Sequence, residues 1–379
     1  MEQGLCGVRQ VGASLRRDLG LTNRDRTARQ HSAGIGQHRW HIQDTCRKRT
    51  TRQPGDSGPR TPTQPEGQSM SFDTSRPFTR PAALAASLSD HQLQGAQYQR
   101  IFQGIYIRAG VRLTCRVRAA AAMLVAPAGS YVSHHTAAVL WGGWAPDTTE
   151  THISSPGPLA RTQRRGIAAH RADPTLRPVI RSGLTVAPPT RVFLDLAAEG
   201  LGLVDLVAVG DSLVAAGRTT HQELIDATSL WSGPGCRRAR RAARWVRAGV
   251  DSVMETRVRM MLVLARLPEP QINVILRAED GSWDARIELA YRGILLAIEY
   301  EGRQHAESTQ QWNKDIRRRT RLEALGWRFI LVTAEGVFDH PGETLDVIRN
   351  ALRDRGMPTT RRQPSVEWRQ EFLGARMAV

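Results

Sequence analysis

A multidomain chain of mixed class, α+β towards the front and α/β at the back, is what the sequence predicts, and three observations predict it. Two short helical segments run into an alternating β-ribbon between Arg80 and Arg108. Strand-like and helix-like runs then alternate through residues 111–235. The last third reads helix, hairpin, strand, helix, strand, helix. Alternation of this kind points to mixed layers rather than an all-α or all-β domain. At 379 residues the chain has room for two or three domains, and with 40% hydrophobic residues it buries a sizeable core.

Residues 1–69 stand apart. They carry twelve basic and six acidic side chains, and the stretch from Arg47 to Gln68 is too polar to offset its ordering entropy. Two readings remain open: a disordered basic arm, or a segment preceding the native start at Met70. From residue 70 to 110, PAALAASL and SDHQLQGAQYQR are helical, with Ser89 or Asp90 as an N-cap. RIFQGIYIRAG alternates about Gly104 as a β-ribbon does. Two small helices and a ribbon outline a winged helix-turn-helix. Contacts to DNA are expected there from Arg76, Arg80 and Arg100.

Residues 111–235 form an α+β middle. Leu113–Ala126 and SHHTAAVLWG read as helices, THISSP and IAAHRA as strands, and PPTRVFLDLAAEG, LVDLVAVGDSLVAAG and HQELIDA as helices. The pair His134–His135 is expected to cap and pack a helix rather than bind a metal. Residues 236–250 hold most of an arginine-rich run without an acid, expected as a linker. Residues 358–379 are expected to be a tail.

The chain carries a formal charge of +17, nearly all of it arginine, because Lys48 and Lys314 are the only lysines. A polyanion, nucleic acid first, is therefore the expected partner class. Its four cysteines are scattered without a CxxC pair, which excludes a cysteine zinc site and a disulfide scaffold. No apolar run approaches the ~20 residues of a membrane span. With no signal peptide visible, the cytoplasm is the expected location.

Chemistry is expected in residues 251–357. Ser252 caps a helix that carries Glu255. Glu288 lies on the second hairpin strand, and Glu299 and Glu301 end an apolar strand, two apart and therefore on one face. Acids at the ends of buried strands are what a divalent-metal phosphodiesterase requires, since like charges there are costly without a cation. Glu288 and Glu299 are the expected ligands of Mg²⁺.

The segments METRVRMMLVLARLPEPQINV, ARIELAY, LLAIEYEGRQHAE and QWNKDIRRRTRLEALGW together resemble the very-short-patch-repair-like domain of unknown function. That domain has the restriction-endonuclease fold and belongs to the PD-(D/E)XK nuclease superfamily. FTRPAALAASLSDHQLQGAQYQRIFQGIYI, SHHTAAVLWGG and GLTVAPPTRVFLDLA resemble an AbiEi-like antitoxin region. The first resemblance implies a C-terminal restriction-endonuclease-like α/β domain. Glu255 matches the family's helix glutamate and Glu288 its strand aspartate. Glu299, Glu301 and Gly302 match its E-x-D-G box, and His305 its acid–base histidine. Asp315 and Arg318 match a D-x-x-R pair, expected here to bond to each other. The superfamily lysine is absent, with Glu301 in its place, and Arg286, Arg303 or Lys314 are the candidate replacements.

Two functions follow as expectations. One is a Mg²⁺-dependent DNA endonuclease or nickase, using Glu255, Glu288, Glu299, Glu301 and His305. The other is an AbiEi-like antitoxin and transcriptional regulator with a non-catalytic nuclease fold, partnered by its promoter or a cognate nucleotidyltransferase toxin.

Overall fold

The computed structural model describes residues 72–157, 164–278, 281, 284–302, 309–359 and 365–373. The segment 1–69, Arg303 and His305 lie outside the described residues. The chain divides into two compact units, with the boundary after Leu124, and the class is mixed α/β with several sheets. Among the described residues no helix is long and apolar enough to cross a membrane.

The first unit begins with β1 (Phe78–Thr79), α1 (Arg80–Ala85), α2 (Asp90–Gln94), β2 (Tyr98–Phe102), β3 (Ile105–Arg108) and α3 (Cys115–Met123). Thr79 caps α1, and Ser89 with Gln92 forms a reciprocal capping box on α2. Gly104 takes φ +73° between β2 and β3, a turn conformation that a side chain would oppose. The strands order as β1-β3-β2. Phe78, Ala83 and Leu93 form the core beneath them, with Phe72, Tyr98 and Tyr106 packed around Phe78. Helix α3, which the sequence reading assigned to the middle region, belongs to this unit.

The second unit opens with β4 (Tyr131–Val132), α4 (His134–Leu140), β5 (Thr151–Ser155), β6 (Ile167–Arg171), β7 (Val179–Arg181) and β8 (Leu184–Val186). These strands order as β6-β5-β4-β8-β7, with β5 and β6 parallel. Four helices follow: α5 (Pro189–Glu199), α6 (Leu203–Ala215), α7 (His221–Leu230) and α8 (Cys236–Ala243). Helix α6 is apolar on nearly every side and is buried along most of its length.

Helix α8 corrects the expected linker at 236–250. Ala239, Ala242, Ala243 and Val246 are fully buried and fall at helical spacing, so the segment is a packed wall of the unit. Its arginines bond to the protein: Arg240 donates to the carbonyls of Thr228 and Trp231, and Arg241 pairs with Glu367 at 2.9 Å. Gly235 precedes the helix at φ +72°, and a Cβ there would come 2.2 Å from the Ala197 carbonyl oxygen. Gly235→Ala is therefore expected to lower unfolding stability by ~2 kcal/mol or more, read from a urea titration.

The unit continues through α9 (Val253–Leu264), β9 (Gln271–Arg277), β10 (Asp284–Tyr291), β11 (Leu296–Glu301), α10 (Thr309–Ala324), β12 (Arg328–Thr333), α11 (Ala334–Phe338), α12 (Pro341–Asp354) and α13 (Glu367–Phe372). The strand order is β12-β11-β10-β9; β10 runs antiparallel to both β9 and β11, and β12 runs parallel to β11. Val274, Leu276, Ile287 and Ala297 of this sheet pack with Leu322 and Trp327. The expected tail is corrected too: α13 buries Trp368 and Phe372, and the Val204 amide donates to Glu371.

Buried charge joins α9 to α6. Arg259 is fully buried; its Nη2 lies 2.9 Å from Asp211 Oδ2 and its Nη1 lies 3.1 Å from Glu269 Oε1. Asp211 also accepts from the Thr256 hydroxyl and the Arg247 amide. Burial pushes the Asp211 carboxyl up, while Arg259 and its other donors pull it down.

Candidate active site

Ser252 accepts a hydrogen bond from the Glu255 amide at 3.1 Å, which starts α9 and turns the Glu255 side chain inward. That carboxylate is 4% exposed and accepts from Asn273 Nδ2 at 3.0 Å and from the Asp251 amide at 3.3 Å. Asn273 holds φ +47°, a left-handed backbone that asparagine tolerates better than a branched residue. Its Oδ1 takes a bond from Arg286 Nε at 2.9 Å. A short-range network thus fixes Glu255 against β9.

Glu288 comes from β10. Glu288 lies one residue before Leu289, the first residue of β10 paired to β11, and Leu289's partner Ile298 is followed by Glu299 on the facing strand. One oxygen of Glu288 accepts from the Tyr300 amide at 2.8 Å. Burial pushes its carboxyl up to about 8, with the charges of Glu255 and Glu299 adding to the rise and Arg318 opposing it. Burial likewise pushes Glu255 up to about 7, with Asp211 adding.

Glu299 is 6% exposed, and Arg318 from α10 grips it with two bonds, Nη1 to Oε1 at 2.8 Å and Nη2 to Oε2 at 2.9 Å. The same Nη1 reaches the Arg286 carbonyl at 2.9 Å. Glu301, half-buried, lies 3.5 Å from Arg319, which is also 4.0 Å from Glu299, so the two glutamates do share a face.

The structure therefore gathers Glu255, Glu288 and Glu299 from one helix and two strands, with Glu301 beside them. His305 is outside the described residues. The expected Asp315–Arg318 pair is present as a loose ion pair at 4.0 Å, while Arg318 makes its two short bonds to Glu299. A guanidinium prefers the bidentate geometry a carboxylate on the facing strand offers. Among the described residues Arg318 and Arg319, not Lys314, are cations set in the cluster; Lys314 is exposed and Arg286 is committed to Asn273 and Asp251. Asn273 and Arg319 were invisible to sequence reasoning, since neither falls in a spaced motif.

Hard oxygen donors suit Mg²⁺. Glu255, buried, and Glu288, half-buried, offer such donors and lie close enough for the charge of one to act on the other, while burial raises the proton affinity of both. Glu299 fits less directly, because Arg318 occupies both of its oxygens. Of the residues expected to meet DNA, Arg76 pairs with Asp73 at 3.4 Å, Arg80 with Asp90, and Arg100 is exposed on β2.

No family model matches the chain. It is similar to uncharacterized proteins from two strains of Mycobacterium tuberculosis, each 24% identical over 255 residues, which is 67% of this chain and 92% of the relative.

Proposed function

We propose that the chain binds DNA and nicks or cuts it at the acid cluster in a Mg²⁺-dependent reaction. The observation that carries this reading is the convergence of two buried carboxylates, Glu255 and Glu299, and the half-buried Glu288 from one helix and the two central strands of a sheet. Further support comes from the order helix, three antiparallel strands, helix, parallel strand in the segment that carries the restriction-endonuclease resemblance. Likewise α1, α2 and the β2–β3 ribbon support a winged helix-turn-helix that delivers DNA.

Glu288 and Glu255 would hold the ion, and Glu299 would complete its environment. Mg²⁺, when bound, supplies Lewis acidity to a phosphate oxygen and makes water a competent nucleophile. Arg318 and Arg319 face the same place and offer the planar donor fork that phosphate oxygens accept. His305 is the acid–base candidate carried by the resemblance.

One observation favours a second reading, an AbiEi-like regulator whose nuclease fold does not cut: Arg318 already neutralises Glu299. The readings separate in one experiment. Supercoiled, relaxed, mismatched and branched DNA is incubated with Mg²⁺ or Mn²⁺. The enzyme reading expects strand cleavage that chelator abolishes and that Glu299→Ala lowers by more than the ~10–100-fold typical of outer-shell changes. Intact DNA under every condition, with salt-sensitive binding that survives Glu299→Ala and weakens on Arg100→Ala, establishes the regulator instead. A nucleotidyltransferase toxin is a partner under that second reading alone.

A further inference from the structure

We propose that His135, His152 and Glu199, with His170 beside them, form a binding site for a divalent transition-metal ion, Zn²⁺ by the chemistry of the donors. The site lies wholly within the second unit and is independent of the acid cluster. His135 stands at the head of α4, His152 on β5, His170 on β6 and Glu199 at the end of α5. No spacing motif connects them; the parallel β5–β6 pair and the two helix ends bring them together.

Ligand atoms of His135, His152 and Glu199 all lie within 4.8 Å of one another. A tetrahedral Zn²⁺ with bonds of ~2.0–2.1 Å separates its ligands by roughly 3.3 Å. Here His135 Nδ1 is 3.4 Å from one Glu199 oxygen, and His152 Nδ1 is 3.9 Å from the other. His170 Nε2 is 3.0 Å from His152 Nδ1, within reach as a fourth donor. Contraction by a few tenths of an ångström would bring these donors onto one ion.

Hydrogen bonding alone leaves the cluster incomplete. Among the described residues, Nδ1 of His135 is buried and makes no well-aligned hydrogen bond, its one close acceptor being the Glu199 oxygen at 3.4 Å, and a metal between the two would satisfy both. On the other side of its ring, His152 has the Thr148 hydroxyl 3.4 Å from Nε2, the outer partner that orients a ligating imidazole. His134 is the wall rather than a ligand: its Nδ1 meets the Ser133 hydroxyl at 2.9 Å and its ring stacks on His170 at 3.6 Å. It pays for that position with φ +50°, backbone strain of the kind that gathers at functional sites.

Two imidazoles and a carboxylate select a borderline first-row ion over Mg²⁺ or Ca²⁺.

Full-length protein is stripped with chelator, loaded with Zn²⁺ or Co²⁺, desalted and assayed for metal. Retention of about one equivalent is expected in wild type and in Glu288→Gln, with affinity falling ~100-fold or more in His135→Ala and Glu199→Gln. The Co²⁺ form should give the intense visible bands of a four-coordinate ion. A chain that retains no metal overturns the proposal. So does equal retention by both site variants, which would put the ion on histidines or cysteines elsewhere. Should either variant fail to fold, Zn²⁺-dependent shifts of the wild-type imidazole resonances decide the matter, and unmoved resonances overturn the proposal.

Discussion

Arg259→Ala is expected to destabilise the folded chain by roughly 3–5 kcal/mol, the usual cost of breaking a buried ion pair from one side. Arg259 is fully buried and binds Asp211 and Glu269 together. Removing it leaves Asp211, itself 2% exposed, with its neutral donors but without its main counter-charge. Replacing both partners, as Arg259→Met with Asp211→Leu, should recover most of the loss, because two buried charges are then exchanged for packed apolar volume. Urea denaturation of the two single variants and the double variant measures both numbers, and a single-variant loss under ~1 kcal/mol would show that water reaches the pair.

Glu288→Gln is expected to make the metal-free protein more stable at pH 8 than wild type. Unfolded, a glutamate ionises near 4.3. Folded, Glu288 keeps its proton up to about 8 and Glu255 up to about 7. Between those limits the folded state binds more protons than the unfolded one, so wild-type stability falls as pH rises through that window and levels off above it. Each tenfold change in proton affinity is worth ~1.4 kcal/mol, which puts the Glu288 share at a few kcal/mol. The glutamine amide oxygen still accepts from the Tyr300 amide but carries no charge, so the variant escapes this loss; at pH 4 the two proteins should melt together. Added Mg²⁺ should raise the wild-type melting temperature at pH 8, because it binds the ionised carboxylates, and should leave the variant unmoved. Melting curves at pH 4 and pH 8, with and without Mg²⁺, check all of this.

The acid cluster was legible because its members end apolar runs. Five apolar residues lead directly into Glu299, and alternation on either side of Glu288 sets an acid among the apolar residues of a central strand. Ser252 with Glu255 three residues later is a helix start that can be read from local chemistry alone. Pairing across elements was less legible. Arg318 shares a helix with Asp315, and helical spacing favours that partner until the facing strand supplies a better one. Helix α8 was hidden by its arginines, since the three alanines that bury it are small and carry little hydrophobic signal. Short helix α13 has only Trp368 and Phe372 to mark it as packed. The histidine cluster was hidden for a different reason: its members stand on four elements, and only the sheet register sets His152 near His170.

The ionic joint between α9 and α6 has a consequence for how this gene can be divided. A fragment beginning at residue 251 would carry Arg259 into solution without Asp211, and the sticky alanine stripe of α8 would be left on the other half. Shuffling, splitting or separately expressing the last third therefore cuts through a shared interior rather than a hinge. The natural seam for dissection lies instead just past Leu124.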